Sequence, residues 1–277
     1  MHEHELKENA VVKGSILIVS TSCSKAAEFE TGAWLPDIAL PFVAFKNGGY
    51  DVTLSSIQGG SVPLDPAGLA AAKGLTDAER FLNCESAMQQ LHHSVPLSSV
   101  ESVSTYSAIL LAGGPRRSGG HAQQQAPWAA AHRGTRQSSK HLGQLLTEAH
   151  DRGCVVAALA QGIAGLLSTP ELLRGKRMTP VGDAEEASKG KLGVLSFSLE
   201  QEVRKAGAIL EARGPKECNV IRDNNLLTGQ NSESAQKLSQ RVLETLAERC
   251  PHTIAPAASP IISSSPTIPA RGVITGL

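Results

Sequence analysis

The stretch Gly153–Leu167, GCVVAALAQGIAGLL, constrains the fold of this chain more than any other. Val155 to Ala160 is a run of small and β-branched apolar residues, the kind buried on both faces of a parallel sheet. Gln161-Gly162 interrupts the run, and an apolar helical pattern follows. A buried strand that turns sharply into a helix lifts the residue at its tip to the carboxyl edge of the sheet, where α/β proteins bind ligands. Enzymes often place a nucleophile at that tip. Here it reads Ala160-Gln161, and neither side chain is one.

The rest of the chain supplies partners for such a strand. Ser15–Thr21 (SILIVST) is apolar enough to be a first strand buried on both faces, and Ser22–Thr31 is a polar loop at its carboxyl end. From Gly32, Trp34, Ile38, Phe42 and Phe45 recur at helical spacing until Asn47-Gly48-Gly49 stops them. Pro41 falls within that pattern, so a kink or break is expected there. Tyr50–Ser55 alternates as a second strand, Asp65–His93 is an alanine-rich helical excursion, and Ser107–Ala112 is a third strand closed by Gly113-Gly114. Residues 115–140 lack periodicity and are long for a loop, as functional lids or disordered segments are. His141–His150 returns to a helical pattern before the Val155–Ala160 strand.

Beyond the elbow, the pattern predicts a helix, a short strand over Arg177–Pro180, a helix over Leu199–Ala206, strands over Cys218–Arg222 and Leu226–Thr228, and an amphipathic helix over Ser234–Glu248. The expectation is one domain over 14–250: an α/β, flavodoxin-like, doubly wound fold whose mostly parallel sheet has helices on both faces. Residues 1–13 read as a flexible leader and 251–277, rich in Pro, Ser, Ala and Ile, as a disordered tail.

Composition removes several function classes. The 277 residues hold 26 Lys and Arg against 26 Asp and Glu, so nothing electrostatic favours nucleic acid or an anionic membrane as partner. No apolar run approaches the roughly 20 residues of a membrane helix, and the N-terminus lacks the apolar core of a signal peptide. Cys23, Cys84, Cys154, Cys218 and Cys250 are scattered and odd in number, which reads as reduced thiols in a cytoplasmic protein. His92-His93 has no acidic or cysteine companion at ligand spacing, so no metal is expected. Gly113-Gly114 and Gly119-Gly120 fit neither phosphate-cradling pattern, so no cofactor is expected.

Several separated stretches together resemble the ThiJ/PfpI superfamily, in its glyoxalase III-like and chaperone-like branch with a class I glutamine amidotransferase-like fold. They are Thr31-Gly32-Ala33-Trp34-Leu35-Pro36-Asp37, Pro41-Phe42, Gly49-Tyr50-Asp51-Val52 and Gly59-Gly60-Ser61-Val62-Pro63-Leu64-Asp65-Pro66. Gly113-Gly114, the elbow Ala158-Leu159-Ala160-Gln161-Gly162, Glu185-Glu186 and Leu226-Leu227-Thr228-Gly229-Gln230-Asn231 with Ser234-Ala235 complete the set. The resemblance runs from about Ser15 to Ala247 and implies a homodimer. It also implies that Ala160 stands where active relatives carry a cysteine, Gln161 where they carry a histidine, and Asp37 where an acid leans on the cysteine. Relatives continue from the Gly-Gly into a His-Gly step that helps form an oxyanion hole. This chain continues as Pro115-Arg116, and proline has no N–H to donate. The segment between Gly114 and Leu142 is also longer than in relatives.

Cysteine-based glyoxalase or protease chemistry needs a thiolate, which Ala160 cannot supply. Cys154 lies at the start of the elbow strand and reads as core, while Cys23 lies in the loop on the ligand side of the sheet. A carboxyl retained in an apolar pocket can act as general acid or base, which makes Asp37 the candidate catalytic residue, against the bland readings of a helix-surface aspartate near Pro36 or a helix N-terminal acid without a catalytic role. Gln161 offers a hydrogen bond, as donor or acceptor, to a substrate carbonyl, against the bland reading of a polar turn residue. Ala160, Gly114, Trp34 and Cys23 are the remaining candidate substrate contacts, with Arg116, His121 and Trp128 from the inserted lid; the bland reading of the insertion is a solvated loop. Glu185-Glu186 reads as a structural or solvated pair. Two functions remain open. One is a cysteine-independent enzyme on a small molecule: an isomerase, cyclase or lyase/hydratase, in specialised metabolism. The other is an inactive glyoxalase-like pseudoenzyme acting as chaperone or ligand-binding protein.

Overall fold

Ser15–Ser20 (β1) is an inner strand of the sheet, and its last five residues are buried. The structure, a computed structural model, describes residues 12–26, 29–114, 136–188 and 198–249. The expected tail with Cys250, nearly all of the expected leader, and Arg116, His121 and Trp128 of the insertion lie outside the described residues.

After β1, the short strands Lys25–Ala26 (β2) and Phe29–Glu30 (β3) pair antiparallel within what the sequence marks as loop. Helix Leu35–Asn47 (α1) leads to Asp51–Ser56 (β4). The alanine-rich excursion divides into three short helices, Pro66–Ala72, Thr76–Leu82 and Glu85–His92, because Gly74 and Asn83-Cys84 interrupt it. Val95–Pro96 (β5) and Tyr106–Leu111 (β6) follow, then helix Arg136–Asp151, Val155–Leu159 (β7), and 3-10 turns over Ala160–Ser168 and Pro170–Leu173. Arg177–Met178 (β8) pairs with Ile209–Leu210 (β9) in a small sheet of its own. Between them lie helices Asp183–Ser188 and Leu199–Lys205. Val220–Asp223 (β10), Leu226–Gly229 (β11) and helix Ala235–Arg249 end the described chain.

The seven-stranded sheet runs β10-β11-β7-β6-β1-β4-β5. Every pairing is parallel except that of β10 with β11 at the edge. This is a flavodoxin-like, doubly wound sheet, as the strand–helix alternation implies. Alternation along the strands sends Ile16, Ile18, Leu110, Ala157 and Leu159 to one face, against α1 and the last helix. Leu17, Val19, Ile109, Leu111, Val156 and Ala158 go to the other, against helix Arg136–Asp151 and the turn after β7. On the first face, Phe42 of α1 meets Phe81 edge-on with ring centroids 5.1 Å apart, a favourable aromatic geometry.

Three expectations become more specific. Of the kink or break expected at Pro41, the break does not occur: α1 is one helix through Pro41, which has no N–H to give to the Asp37 carbonyl four residues earlier. The segment after Ala160 is a 3-10 helix rather than an α-helix, packed so closely that a Cβ on Gly162 would lie 2.3 Å from the Leu111 carbonyl oxygen. The expected loop to Lys140 ends earlier, since the helix before β7 begins at Arg136.

Candidate functional site

Register fixes which residues meet at the carboxyl edge. Val19 of β1 lies beside Leu111 of β6, Leu111 beside Ala158 of β7, and Leu159 beside Gly229 of β11. The next residues along each strand therefore emerge together: Ser20 and Thr21, Ala112 and Gly113, Ala160 and Gln161, Gln230 and Asn231. The amide N–H of Ala112 continues the ladder to the Val19 carbonyl at 2.9 Å.

The N-terminus of α1 is brought to this edge by the segments around it. Ala33 bridges to Leu64, its N–H donating to the Pro63 carbonyl at 2.7 Å, and the Ala33 carbonyl accepts from Asp65 N–H at 2.9 Å. Gly32 lies so close to Pro63 that a Cβ would meet its carbonyl oxygen at 2.4 Å. These contacts hold the Thr31–Leu35 and Pro63–Pro66 motifs together. Trp34 is the half-buried N-cap residue of α1, with its ring over Gly68.

Asp37, in the first turn of α1, is fully buried at 0% exposure, so the surface-aspartate reading does not hold. Its Oδ1 accepts a hydrogen bond from the Ser232 hydroxyl. Its other oxygen lies against Gly113, where an added Cβ would fall 1.8 Å from Oδ2. The helix N-terminus favours the negative charge of such a carboxylate. Of the two glycines after β6, Gly113 is the one pressed against Asp37, while Gly114, also buried, is the last described residue before the insertion.

The elbow itself carries a backbone signature. Ala160 has φ +50°, in the left-handed region that costs a non-glycine residue about 1–2 kcal/mol. Strained turns of this kind persist where surrounding packing over-determines them, and they cluster at functional sites. Ala160 is 1% exposed. Beside it, Gln161 is 6% exposed and donates from Nε2 to Glu186 Oε1 at 3.0 Å.

Glu185 and Glu186, adjacent on one helical turn, fasten different loops. Glu185 is 1% exposed, and its Oε2 accepts from Gln230 Nε2 at 3.1 Å and Asn231 Nδ2 at 3.0 Å. Ser234 Oγ in turn donates to Asn231 Oδ1 at 2.8 Å. Gln230 also accepts from Thr179 Oγ1 and the Arg213 N–H, so the loop carrying Ser232 is held by a buried polar network. Of the two bland readings for this pair, the structural one describes Glu185, and neither glutamate is a simply solvated charge.

The two cysteines weighed for chemistry stand apart. Cys154 is buried and donates to the Tyr106 carbonyl at 3.2 Å; burial pushes its thiol up to about 11, away from reactivity. Cys23 is half-buried in the loop after β1, its thiol donating to the Lys25 carbonyl at 3.0 Å. Among the described residues, no group of three or more His, Cys, Asp or Glu side chains is arranged to hold a metal ion, and no helix is long and apolar enough to cross a membrane. Sequence reasoning missed Ser232, Gly113 as a contact of Asp37, and the Gln161–Glu186 pairing; Gly113, Gln161 and Glu186 carried a signal, as members of quoted motifs, and Ser232 did not.

Comparison with known proteins agrees with this fold. No protein-family profile matches the chain. Glyoxalase 3 of Candida albicans is 25% identical over 226 residues, covering 77% of this chain and 89% of its own. The crystal structure of glyoxalase III from Candida albicans superposes with a TM-score of 0.68 at 21% identity, covering 84% of this chain and 97% of that one. The 24 kDa rapid encystment protein of Francisella tularensis gives 0.70 at 23% identity, covering 84% and 99%. A ThiJ/PfpI domain protein from Brachyspira murdochii gives 0.54 at 14%, covering 86% and 99%. In fold, then, the chain is similar to ThiJ/PfpI domain proteins. Its similar proteins include a glyoxalase III and a rapid encystment protein.

Proposed function

We propose that this protein is a cysteine-independent enzyme acting on a small organic molecule at the carboxyl edge of its sheet. Asp37 is the general acid/base, and the reaction is a proton transfer of the isomerase, cyclase or lyase/hydratase type. The observation that carries this reading is the Asp37 carboxyl, fully buried, held by Ser232 and seated on Gly113 beside an elbow that supplies no thiol. A carboxyl closed off from bulk water exchanges its proton with a bound substrate rather than with solvent. Gln161 orients the substrate. The protein works in the cytoplasm as a homodimer, the dimer following from the family resemblance alone.

The closure of the site favours a second reading, a ligand-binding or chaperone-like pseudoenzyme. Ala160 and Asp37 are both shut away from solvent, and the elbow keeps its strained turn without the group such turns present.

The test compares wild type with the double variant Ala160→Cys/Gln161→His for lactate formation from methylglyoxal. No lactate from either folded protein supports a site rebuilt for other chemistry. Lactate from the double variant alone favours the pseudoenzyme, and lactate from wild type ends the cysteine-independent reading.

A further inference from the structure

Gln161 is paired on one side only. Its amide nitrogen donates to Glu186 Oε1 at 3.0 Å, while its carbonyl oxygen is buried with no hydrogen-bond partner. The orientation of this amide is set by chemistry. A carboxylate is an acceptor only, so turning the amide over would place two acceptor oxygens against each other. Glu186 therefore fixes the nitrogen toward itself and leaves Oε1 as the unpaired acceptor of the elbow's second residue. An acceptor closed to water and left unpaired is unfavourable, and pairing it with a donor recovers that loss.

We propose that the Gln161–Glu186 pair makes the elbow a recognition point for a hydrogen-bond donor, so that the ligand presents a hydroxyl or N–H to Gln161 Oε1 rather than a carbonyl oxygen. This rests on the reading of the carboxyl edge as the substrate site and names the chemistry of the group bound there. Of the two roles open to Gln161 from its residue type, the structure leaves the acceptor. The residue retains 6% exposure, so a ligand reaches Oε1 through a local displacement at the elbow, and the group that enters is small.

The test uses cyclopentanol and cyclopentanone, which share a ring and differ in whether the oxygen donates. Binding of each is titrated by saturation-transfer NMR on wild type, Gln161→Leu and Glu186→Gln, after circular dichroism has shown each to be folded. Wild type is expected to bind the alcohol about tenfold more tightly than the ketone, as for one buried hydrogen bond. Gln161→Leu removes the acceptor in a similar volume and erases the preference. Glu186→Gln gives the amide a partner that also donates, lets it turn over, and brings the ratio toward one. Equal binding of the two probes by wild type, binding of neither, or a preference that persists in Gln161→Leu overturns the proposal. The same titration on Asp37→Asn separates this claim from the acid/base reading, because probe binding involves no proton transfer. An alcohol preference there alongside unchanged turnover removes Asp37 as the base and leaves the donor site standing.

Discussion

The Ser232 hydroxyl donates to Oδ1 of Asp37 across 195 positions of sequence. That bond ties the N-terminus of α1 to the loop after β11, on opposite sides of the elbow. Ser232→Ala removes a donor from a fully buried carboxyl, which costs about 1–3 kcal/mol. Urea denaturation is expected to show a loss in that range with an unchanged slope. A loss under about 0.5 kcal/mol, the range of surface substitutions, would mean that the bond is not a fixed part of the fold.

Gly113 is required by its contact with Asp37. In Gly113→Ala the new methyl carbon would lie 1.8 Å from Oδ2 and 2.7 Å from Cγ of Asp37, so the carboxyl has to move. Overpacking of this kind costs about 1–3 kcal/mol. The cost should fall in an Asp37→Ala background, where the obstacle is gone, and a double-mutant cycle measures the difference. Equal costs in the two backgrounds would place the strain elsewhere.

The strain at Ala160 predicts an unusual tolerance. Glycine relieves the left-handed backbone at φ +50° while losing one buried methyl, worth about 0.8 kcal/mol, so Ala160→Gly is expected to be nearly neutral. Ala158→Gly, inside β7 with no such strain to relieve, is expected to cost about 1–2 kcal/mol from the lost methyl and added backbone freedom. Thermal melts of the two variants decide it, and equal losses would show that the elbow is relaxed.

Cys154 sets a pH dependence. The fold keeps its thiol neutral up to about 11, whereas in the unfolded chain it releases its proton from the ordinary value of 9.0. Its contribution is therefore complete below pH 9 and is lost as pH rises toward 11, by about 3 kcal/mol for two pH units. Denaturation midpoints between pH 8 and 11 should fall more steeply for wild type than for Cys154→Ala. Parallel curves would contradict the assigned burial effect.

How legible this was depended on how local the cause was. β1, β6 and β7 follow from apolar runs and β4 from alternation, and each is placed within a residue at both ends; for the runs, burial on both faces leaves one reading of SILIV or VVAAL. The strands Lys25–Ala26 and Phe29–Glu30 had no such signal, since two residues carry no period and only their partner defines them. The turn after Ala160 has helical periodicity, but Gly162 brings it against the end of β6 and it tightens to 3-10. Asp37 was found through its motif. Ser232 was not, because a serine between Asn231 and Glu233 looks like any turn residue until the fold brings α1 to it. Glu185 and Glu186 read as an ordinary charge pair, and the buried amides facing Glu185 come from residues 45 and 46 positions further on.

The most direct measurement of the central claim is deuterium uptake from heavy water into a panel of small hydroxycarbonyl and hydroxy-acid compounds, followed by proton NMR. Wild type and Asp37→Asn would be compared once circular dichroism has shown both to be folded. The account predicts enzyme-dependent exchange at one carbon-bound position of a panel member with wild type, and none above background with Asp37→Asn, because asparagine cannot carry the proton. Exchange that survives intact in Asp37→Asn would contradict it.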